Sequence, residues 1–132
     1  MALTFVADEA HTEVTSSLEP SGQVDWLHVF FVEHRGHELN LCRVHDESGS
    51  PEGFKGPAII AVDRRKISEG GINRVRIEPG RITVEVDAQA AAKIETEMVV
   101  VEFEVDERTL SLMRDSLRRM FADTAVYSDG LA

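Results

Sequence analysis

The segment from residue 70 to residue 121 constrains the fold of this chain more than any other. Two stretches in which apolar and polar residues alternate flank a Pro79-Gly80 turn, and this pattern predicts a β-hairpin with one apolar face. Further on, Leu110, Met113 and Leu117 recur at a spacing of three to four residues among charged neighbours, which predicts an amphipathic helix. Because an apolar sheet face needs cover, we predict that this C-terminal helix packs on the hairpin.

Polar residues of the same segment predict how its elements begin and pair. Counting back from the turn places Arg74 opposite Glu85. Such a cross-strand ion pair is worth only about 0.2–1 kcal/mol, so it helps to set the register but does not mark a site. Asp87 and Asp106 each stand directly before a helical pattern, so both are predicted N-caps.

The first half of the chain predicts further strands around the apolar segment from Trp26 to Glu33. Both faces of this segment are apolar, so each face needs cover by a helix or by a partner molecule. For the whole chain we predict an α+β fold, a predominantly antiparallel, twisted β-sheet of about six strands with the C-terminal α-helix packed on one face. Residues 1–122 are predicted to form one domain, and residues 123–132 a flexible tail.

Charge limits the partners that the chain can bind. Its 132 residues carry a formal net charge of −10. A negative field of this kind repels the phosphates of nucleic acids and anionic membranes, and it speeds encounters with a basic protein. The N-terminal residues contain neither a basic region nor a long apolar run, so we expect a cytoplasmic protein without a membrane or nucleic-acid partner.

Few residues of the chain are suited to catalysis or metal binding. Cys42 is the single cysteine, and its place in a predicted strand indicates a packed side chain. His34 and His37 lie in a predicted turn whose flanking side chains diverge, and His28 is predicted to be hydrogen-bonded and partly buried in a strand. No nucleophile or phosphate-binding motif occurs, so the sequence predicts no enzyme, no metal site and no cofactor.

Four short pieces follow one another in the last two fifths of the chain. They are Gly70-Gly71-Ile72, Ile82 to Asp87 with Ala90 to Ala92, Val101 to Asp106, and Leu117 to Phe121. This order resembles the immunity protein 10 family of bacterial polymorphic toxin systems. The resemblance implies a protein that binds and neutralises a toxin encoded beside it, without identifying the contact residues.

Two groups of carboxylates are candidate contacts for such a toxin. The first is the polar loop from His45 to Gly53, where Asp46, Glu47 and Glu52 are predicted anchors because loops carry variable recognition. The alternative is an acidic sheet face. It is composed of Glu85, Glu102 and Glu104, with arginines of the hairpin close enough to neutralise them.

Two other classes of function stay open at this point. One is a small regulatory or ligand-binding module that uses a pocket between sheet and helix. The other is an enzyme built on His28 or on the acidic face, because acid–base catalysis needs paired titratable groups.

Overall fold

The computed structural model describes residues 2–20, 22–45 and 54–129. These residues form ten β-strands and two α-helices, so the predicted α+β class is confirmed. The strands of the first half are β1 (Ala2–Val6), β2 (Glu9–Glu19), β3 (Gly22–Val32), β4 (Glu38–His45), β5 (Phe54–Val62) and β6 (Lys66–Glu69). The second half contains β7 (Ile72–Glu78), β8 (Arg81–Val86), α1 (Ala88–Ile94), β9 (Met98–Glu102), α2 (Glu107–Met120) and β10 (Tyr127–Asp129).

The strands form two five-stranded sheets. The antiparallel sheet has the order β2-β3-β4-β5-β6, and the mixed sheet has the order β1-β9-β8-β7-β10 with β1 and β10 parallel to their neighbours. The sequence predicts about six strands in one sheet, whereas the described residues form ten strands in two sheets. Two of the strands that it misses, β6 and β10, are short polar edge strands held by backbone pairing, which leaves no apolar period.

The β7–β8 hairpin has the predicted register. Gly80 adopts a φ of 82° after Pro79, as a type II turn requires. Glu78 lies opposite Arg81 and Arg74 opposite Glu85, where an Arg74 Nη1 to Glu85 Oε2 distance of 3.7 Å closes the expected ion pair. Turn geometry and side-chain alternation were therefore enough to determine this pairing.

Both predicted N-caps are confirmed. Asp87 Oδ1 accepts a hydrogen bond from the Ala90 N–H at 2.8 Å, and Asp106 Oδ1 accepts one from the Thr109 N–H at 2.7 Å. The bonds from Thr109 favour the charged carboxylate and lower the pKa of Asp106. Gly71 precedes the hairpin with a φ of 83°, and a Cβ there would lie 2.7 Å from the Ala90 Cβ, so only glycine fits beside α1.

One hydrophobic core joins both sheets and α2. The rings of Phe31 and Phe103 lie 5.3 Å apart between centroids and connect the antiparallel sheet with the end of β9. From α2, Met113, Leu117 and Met120 are completely buried in the same core. The apolar stripe predicted from the sequence is thus the buried stripe of the helix.

The neighbours of α2 differ from the predicted ones. Its main chain lies nearest to β2 and β3 and then to β10, whereas the sequence predicts the β7–β8 hairpin as its partner. The Ser116 hydroxyl lies 2.6 Å from the Thr12 hydroxyl of β2. β2 and β3 belong to the antiparallel sheet, whereas the hairpin belongs to the mixed sheet. The pattern of the hairpin and helix segment alone could not show that the other sheet lies nearest to α2.

Arg43 connects four parts of the fold. Its side chain, 9% exposed, leaves β4 at an irregularity in the β4–β5 pairing. The guanidinium donates to the carbonyls of Gly56 and Met120 at 2.9 and 2.7 Å, and to both carboxylate oxygens of Asp123 at 2.7 and 2.8 Å. A buried charge is tolerated only when it is paired and hydrogen-bonded. The three partners named here lie in β5, at the end of α2 and after α2.

The residues after α2 contain a further strand. The sequence predicts a flexible tail from residue 123, whereas Tyr127–Asp129 form β10 along β7 and Asp123 binds Arg43. Asp129 also accepts a 2.8 Å hydrogen bond from Arg114 of α2. A strand of three residues is too short to show an alternation of apolar and polar side chains. The only sequence signal for β10 was that Asp129 could pair with an arginine of α2. Residues 130–132 lie outside the described part of the chain.

We expect Leu117→Ala to lower the free energy of unfolding by about 2–5 kcal/mol, because a buried leucine is removed from a filled core. Leu112→Ala is the matched control, since Leu112 lies on the same helix and is 50% exposed. Urea unfolding of the two variants measures the difference. Equal effects would mean that α2 does not bury the stripe described above.

Asp123→Asn tests the ion pair with Arg43. The hydrogen bond from Arg43 lowers the pKa of Asp123 in the folded state, so this group stabilises the protein above its unfolded pKa. That stabilisation is lost as the pH falls through the lower, folded pKa. The variant should therefore be less stable than the wild type at pH 7, and its stability should fall less on acidification. Asp115→Asn, at an exposed position on α2, is the control, and a similar acid profile for both variants would contradict the assignment.

Candidate interaction face

The antiparallel sheet has one buried face and one face that points away from the core. On β3, the buried side chains Leu27 and Phe31 are 4% and 0% exposed. The alternating residues Trp26, His28 and Phe30 point to the other side and remain partly exposed. The sequence indicated that both sides need cover, and the core provides it for one side.

Neither helix contacts the outer side through the interactions that the described residues show. Contacts of α2 with this sheet go through Thr12 and Arg43, which belong to the inward rows. The contact of α1 with β6 includes an ion pair between Lys66 and Glu95 at 3.5 Å, and Lys66 lies opposite the buried Val62. The outer face is therefore the candidate functional surface of the protein.

Stacked rings run across this outer face. The ring of Phe30 lies between those of His11 and His28, at centroid distances of 5.2 and 5.0 Å and interplanar angles of 28° and 12°. We call the surface the aromatic face. It consists of the outward side chains His11, Thr15, Trp26, His28, Phe30, Asn40, Val44 and Ile59.

His28 is hydrogen-bonded and partly buried, as predicted. Its Nε2 lies 2.9 Å from the Thr15 hydroxyl and its Nδ1 lies 3.2 Å from Asn40 Oδ1. Both ring nitrogens are thus engaged by neutral neighbours, which hold the imidazole flat against Phe30. His11, Glu13 and Thr15 alternate along β2 and belong to one row of this surface. Sequence analysis missed this row because its side chains are polar and do not show the apolar alternation that indicates a strand face.

Carboxylates border the aromatic face. Glu9 and Glu13 lie on its β2 side, and the Glu13 carboxylate lies 3.7 Å from His11 Nε2. Glu69 lies on the β6 side, opposite Ile59. The side chains of Glu9 and Glu13 are 60% and 49% exposed, so a cationic group could approach both. A partly apolar centre with a charged rim has the organisation of a protein–protein interface.

Cys42 lies directly opposite His28 on the neighbouring strand, close to Asn40 in the chain. Cysteine, histidine and asparagine can form a nucleophilic site, but only if the thiol ionises readily. Here the thiol is 6% exposed, and burial raises the pKa of Cys42 to about 11. The thiol is therefore protonated near neutral pH, and the predicted packed role of Cys42 agrees with its burial.

His34 and His37 are directed to different carboxylates. His37 Nδ1 lies 3.0 Å from Asp63, whereas His34 Nε2 lies 3.4 Å from Glu9. Within residues 2–20, 22–45 and 54–129, no group of three or more histidine, cysteine, aspartate or glutamate side chains is placed to hold a metal ion.

The loop carboxylates predicted as toxin contacts, Asp46, Glu47 and Glu52, lie outside the described residues. Their role remains a prediction from the sequence.

The carboxylates of the alternative acidic face do not form one cluster. Glu85 and Glu102 both point outward from the mixed sheet, but Glu102 lies opposite Arg81 and Glu85 lies opposite Met98. Four positions along β9 therefore separate them, or about 13 Å at about 3.3 Å per residue. Glu102 pairs with Arg81 at 3.1 Å, in addition to the Glu85 pair noted above.

Glu104 lies beyond the end of β9, at an open groove of about 760 Å3 that Phe103, Val105 and Leu110 also line. A smaller cavity of about 180 Å3 lies where Arg43, Gly71, Phe121 and Val126 meet, between the strands and the segment that follows α2. Ligand pockets usually measure about 300–1,000 Å3. The groove beside Glu104 falls within this range, and the smaller cavity falls below it.

Comparison of the chain with protein-family models, with curated proteins and with solved structures found no match. The resemblance to the immunity protein 10 family therefore stays a prediction. Neither α1 nor α2 has the length and apolar character needed to cross a membrane.

Cys42 should react slowly with a disulfide reagent in the folded protein. At pH 8 a rise in thiol pKa from 9.0 to about 11 reduces the thiolate fraction roughly 100-fold, and burial slows access further. Labelling of the native and the urea-unfolded chain measures the ratio of the two rates. A native rate close to the unfolded rate would show that Cys42 is accessible and ionised, which would reopen the nucleophilic interpretation.

Proposed function

We propose that this chain is a cytoplasmic immunity protein that binds and neutralises a cognate polymorphic toxin without chemistry of its own. The resemblance described above suggests the biological role. The aromatic face is the observation that carries the proposal, because it leaves large rings partly exposed on one side of a well-filled fold.

Aromatic side chains supply the energetic centre of many protein interfaces. Trp26 and Phe30 both lie on β3, on either side of His28, and the His28 hydrogen bonds keep this part of the aromatic face in one conformation. A partner that covers these rings would bury apolar area without a large loss of side-chain entropy. The face is thus suited to persistent binding, which neutralisation of a toxin requires.

The charge of the chain indicates the character of the partner. A net charge of −10 and the carboxylates bordering the aromatic face favour a basic protein. An acidic inhibitor can occlude a basic catalytic domain, such as that of a nuclease, by replacing the charge of its substrate. The loop residues Asp46, Glu47 and Glu52 belong to this proposal as additional anchors.

The scaffold supports the same proposal. We infer that α2 packs on the inward face of the antiparallel sheet, since Ser116 contacts Thr12 and the Met120 carbonyl accepts from Arg43. Complete burial of Leu117 agrees with this placement. In this arrangement one face of the antiparallel sheet is used for stability and the other for binding.

A ligand-binding module is the second candidate, and the groove of about 760 Å3 between the Pro79-Gly80 turn and Leu110 of α2 is the observation that favours it. This groove is open, whereas a ligand pocket buries most of the surface of its ligand. The cavity of about 180 Å3 beside Arg43 would admit only a very small molecule. We therefore place this candidate second.

Co-expression with the toxin domain encoded beside it should protect cells and yield a complex that survives purification. Phe30→Ala should weaken the complex at least about 30-fold, since interface hot spots contribute about 2 kcal/mol or more. Val6→Ala, at a 57% exposed position of the mixed sheet, is the control and should change the affinity little. Melting temperatures must show that both variants fold.

Two outcomes would contradict the proposal in different ways. Failure of the pair to associate at micromolar concentration and low salt would refute the immunity function. Tight binding that Phe30→Ala leaves unchanged would refute the aromatic face as the contact surface. In that case, lysine substitutions at Asp46, Glu47 and Glu52 would test the loop by their effect on the association rate.

A further inference from the structure

We infer that the free edge of β2 is a docking site for an extended, basic segment of a partner protein, which adds to the antiparallel sheet as a further strand. The inference rests on the proposed function only in taking the partner to be a basic protein. Its structural support is the edge itself, where unpaired backbone groups can bind another strand.

β2 is the one long edge among the strands that the structure describes. The other three sheet edges are β1, β6 and β10, with five, four and three residues, whereas β2 has eleven. Its register with β3 runs without a shift from Glu9 to Glu19. Proteins usually protect edges by shortness, bulges, proline or charged side chains, lysine above all. β2 is long and regular and has no proline or lysine, and its charged side chains are carboxylates, which repel an acidic strand but not a basic one.

The second half of this edge leaves two apolar side chains open to solvent. Leu18 is 87% exposed, and Val14 before it is 61% exposed. Both lie in the row that includes Ala10 and Thr12, beyond the contact of Thr12 with α2.

Side chains on the two faces of β2 specify different chemistry in an added strand. Val14 and Leu18 on the inward side favour apolar neighbours, whereas Glu9 and Glu13 on the outward side favour cationic ones. Since side chains alternate along a strand, a segment with alternating apolar and basic residues satisfies both faces in one register. Such a strand would also extend the aromatic face, to which His11 belongs.

The same charges argue against a second copy of this chain as the occupant. Self-pairing of β2 would bring Glu9 and Glu13 of both copies to one interface, in a protein whose net charge is −10. Like charges across strands are destabilising. Charge complementarity therefore assigns the edge to a cationic strand.

A short alternating lysine–valine peptide is the probe for this site. Hydrogen exchange with and without the peptide should show newly protected amides at every second residue of β2, because the intervening amides are already bonded to β3. Protection at another edge, or none on β2 at saturating peptide, would overturn the inference. Concentration-dependent dimerisation with protected β2 amides in the absence of peptide would overturn the assignment to a basic strand.

Two N-methylated peptides separate strand addition from adhesion by charge. One is N-methylated at its valines and the other at its lysines. The backbone N–H groups of alternate residues point to opposite sides of a strand, so only the valine set or the lysine set can bond to the edge of β2. We expect one analogue to bind at least about tenfold more weakly than the other, because several main-chain hydrogen bonds are lost. Equal affinities would indicate association without strand pairing and would refute the inference.

Val14→Lys places a cation on the inward side of the edge, as natural edge strands do. It should weaken binding of the peptide at least about tenfold, since the charge opposes a basic, apolar strand. Ile67→Lys is the control at the opposite edge, where Ile67 is 49% exposed. Equal peptide affinity for the two folded variants would contradict the site. Since no toxin is present, this result is independent of the proposed immunity function, which fails only if the toxin domain itself does not bind.

Discussion

The buried guanidinium of Arg43 is the interaction on which the arrangement of this protein most depends. It binds a carbonyl of β5, the last carbonyl of α2 and the carboxylate of Asp123, and so it joins segments that are distant in the chain. An unpaired charge in this position would cost several kcal/mol, so the three partners must assemble together. The guanidinium also satisfies a carbonyl at the C-terminus of α2 that has no partner within the helix.

This assembly leaves the two faces of the antiparallel sheet in different environments. With α2 and the mixed sheet contributing to one core, the inward side chains of β3 are buried there, and Val29 and Phe31 are inaccessible to solvent. The outward rows carry the rings of Trp26, His28 and Phe30, which are not part of the core. A partner can cover them without disturbing the packing of the domain, and the long edge of β2 adds backbone groups to the same side of the molecule.

Sequence reasoning succeeded where a pattern is complete within one segment. The hairpin register, the capping carboxylates and the buried stripe of α2 each depend on residues a few positions apart, so local physics was sufficient. The site was harder to predict. Trp26 and Phe30 were recognised as an apolar face in need of cover, but His11 and Asn40 could not be placed beside them before the strand order was known.

The sequence by itself therefore determined the secondary structure from β7 to α2, the acidic character and the two-faced apolar strand β3 of the antiparallel sheet. Only the tertiary structure decided that the strands divide into two sheets, that β10 is held by Asp129, and that α2 lies nearest to β2 and β3. The physical reason is that these features depend on contacts between residues far apart in the chain. The energy of a buried ion pair or a filled core depends on all its partners at once. The spacing of apolar residues within one segment gives no information on those partners.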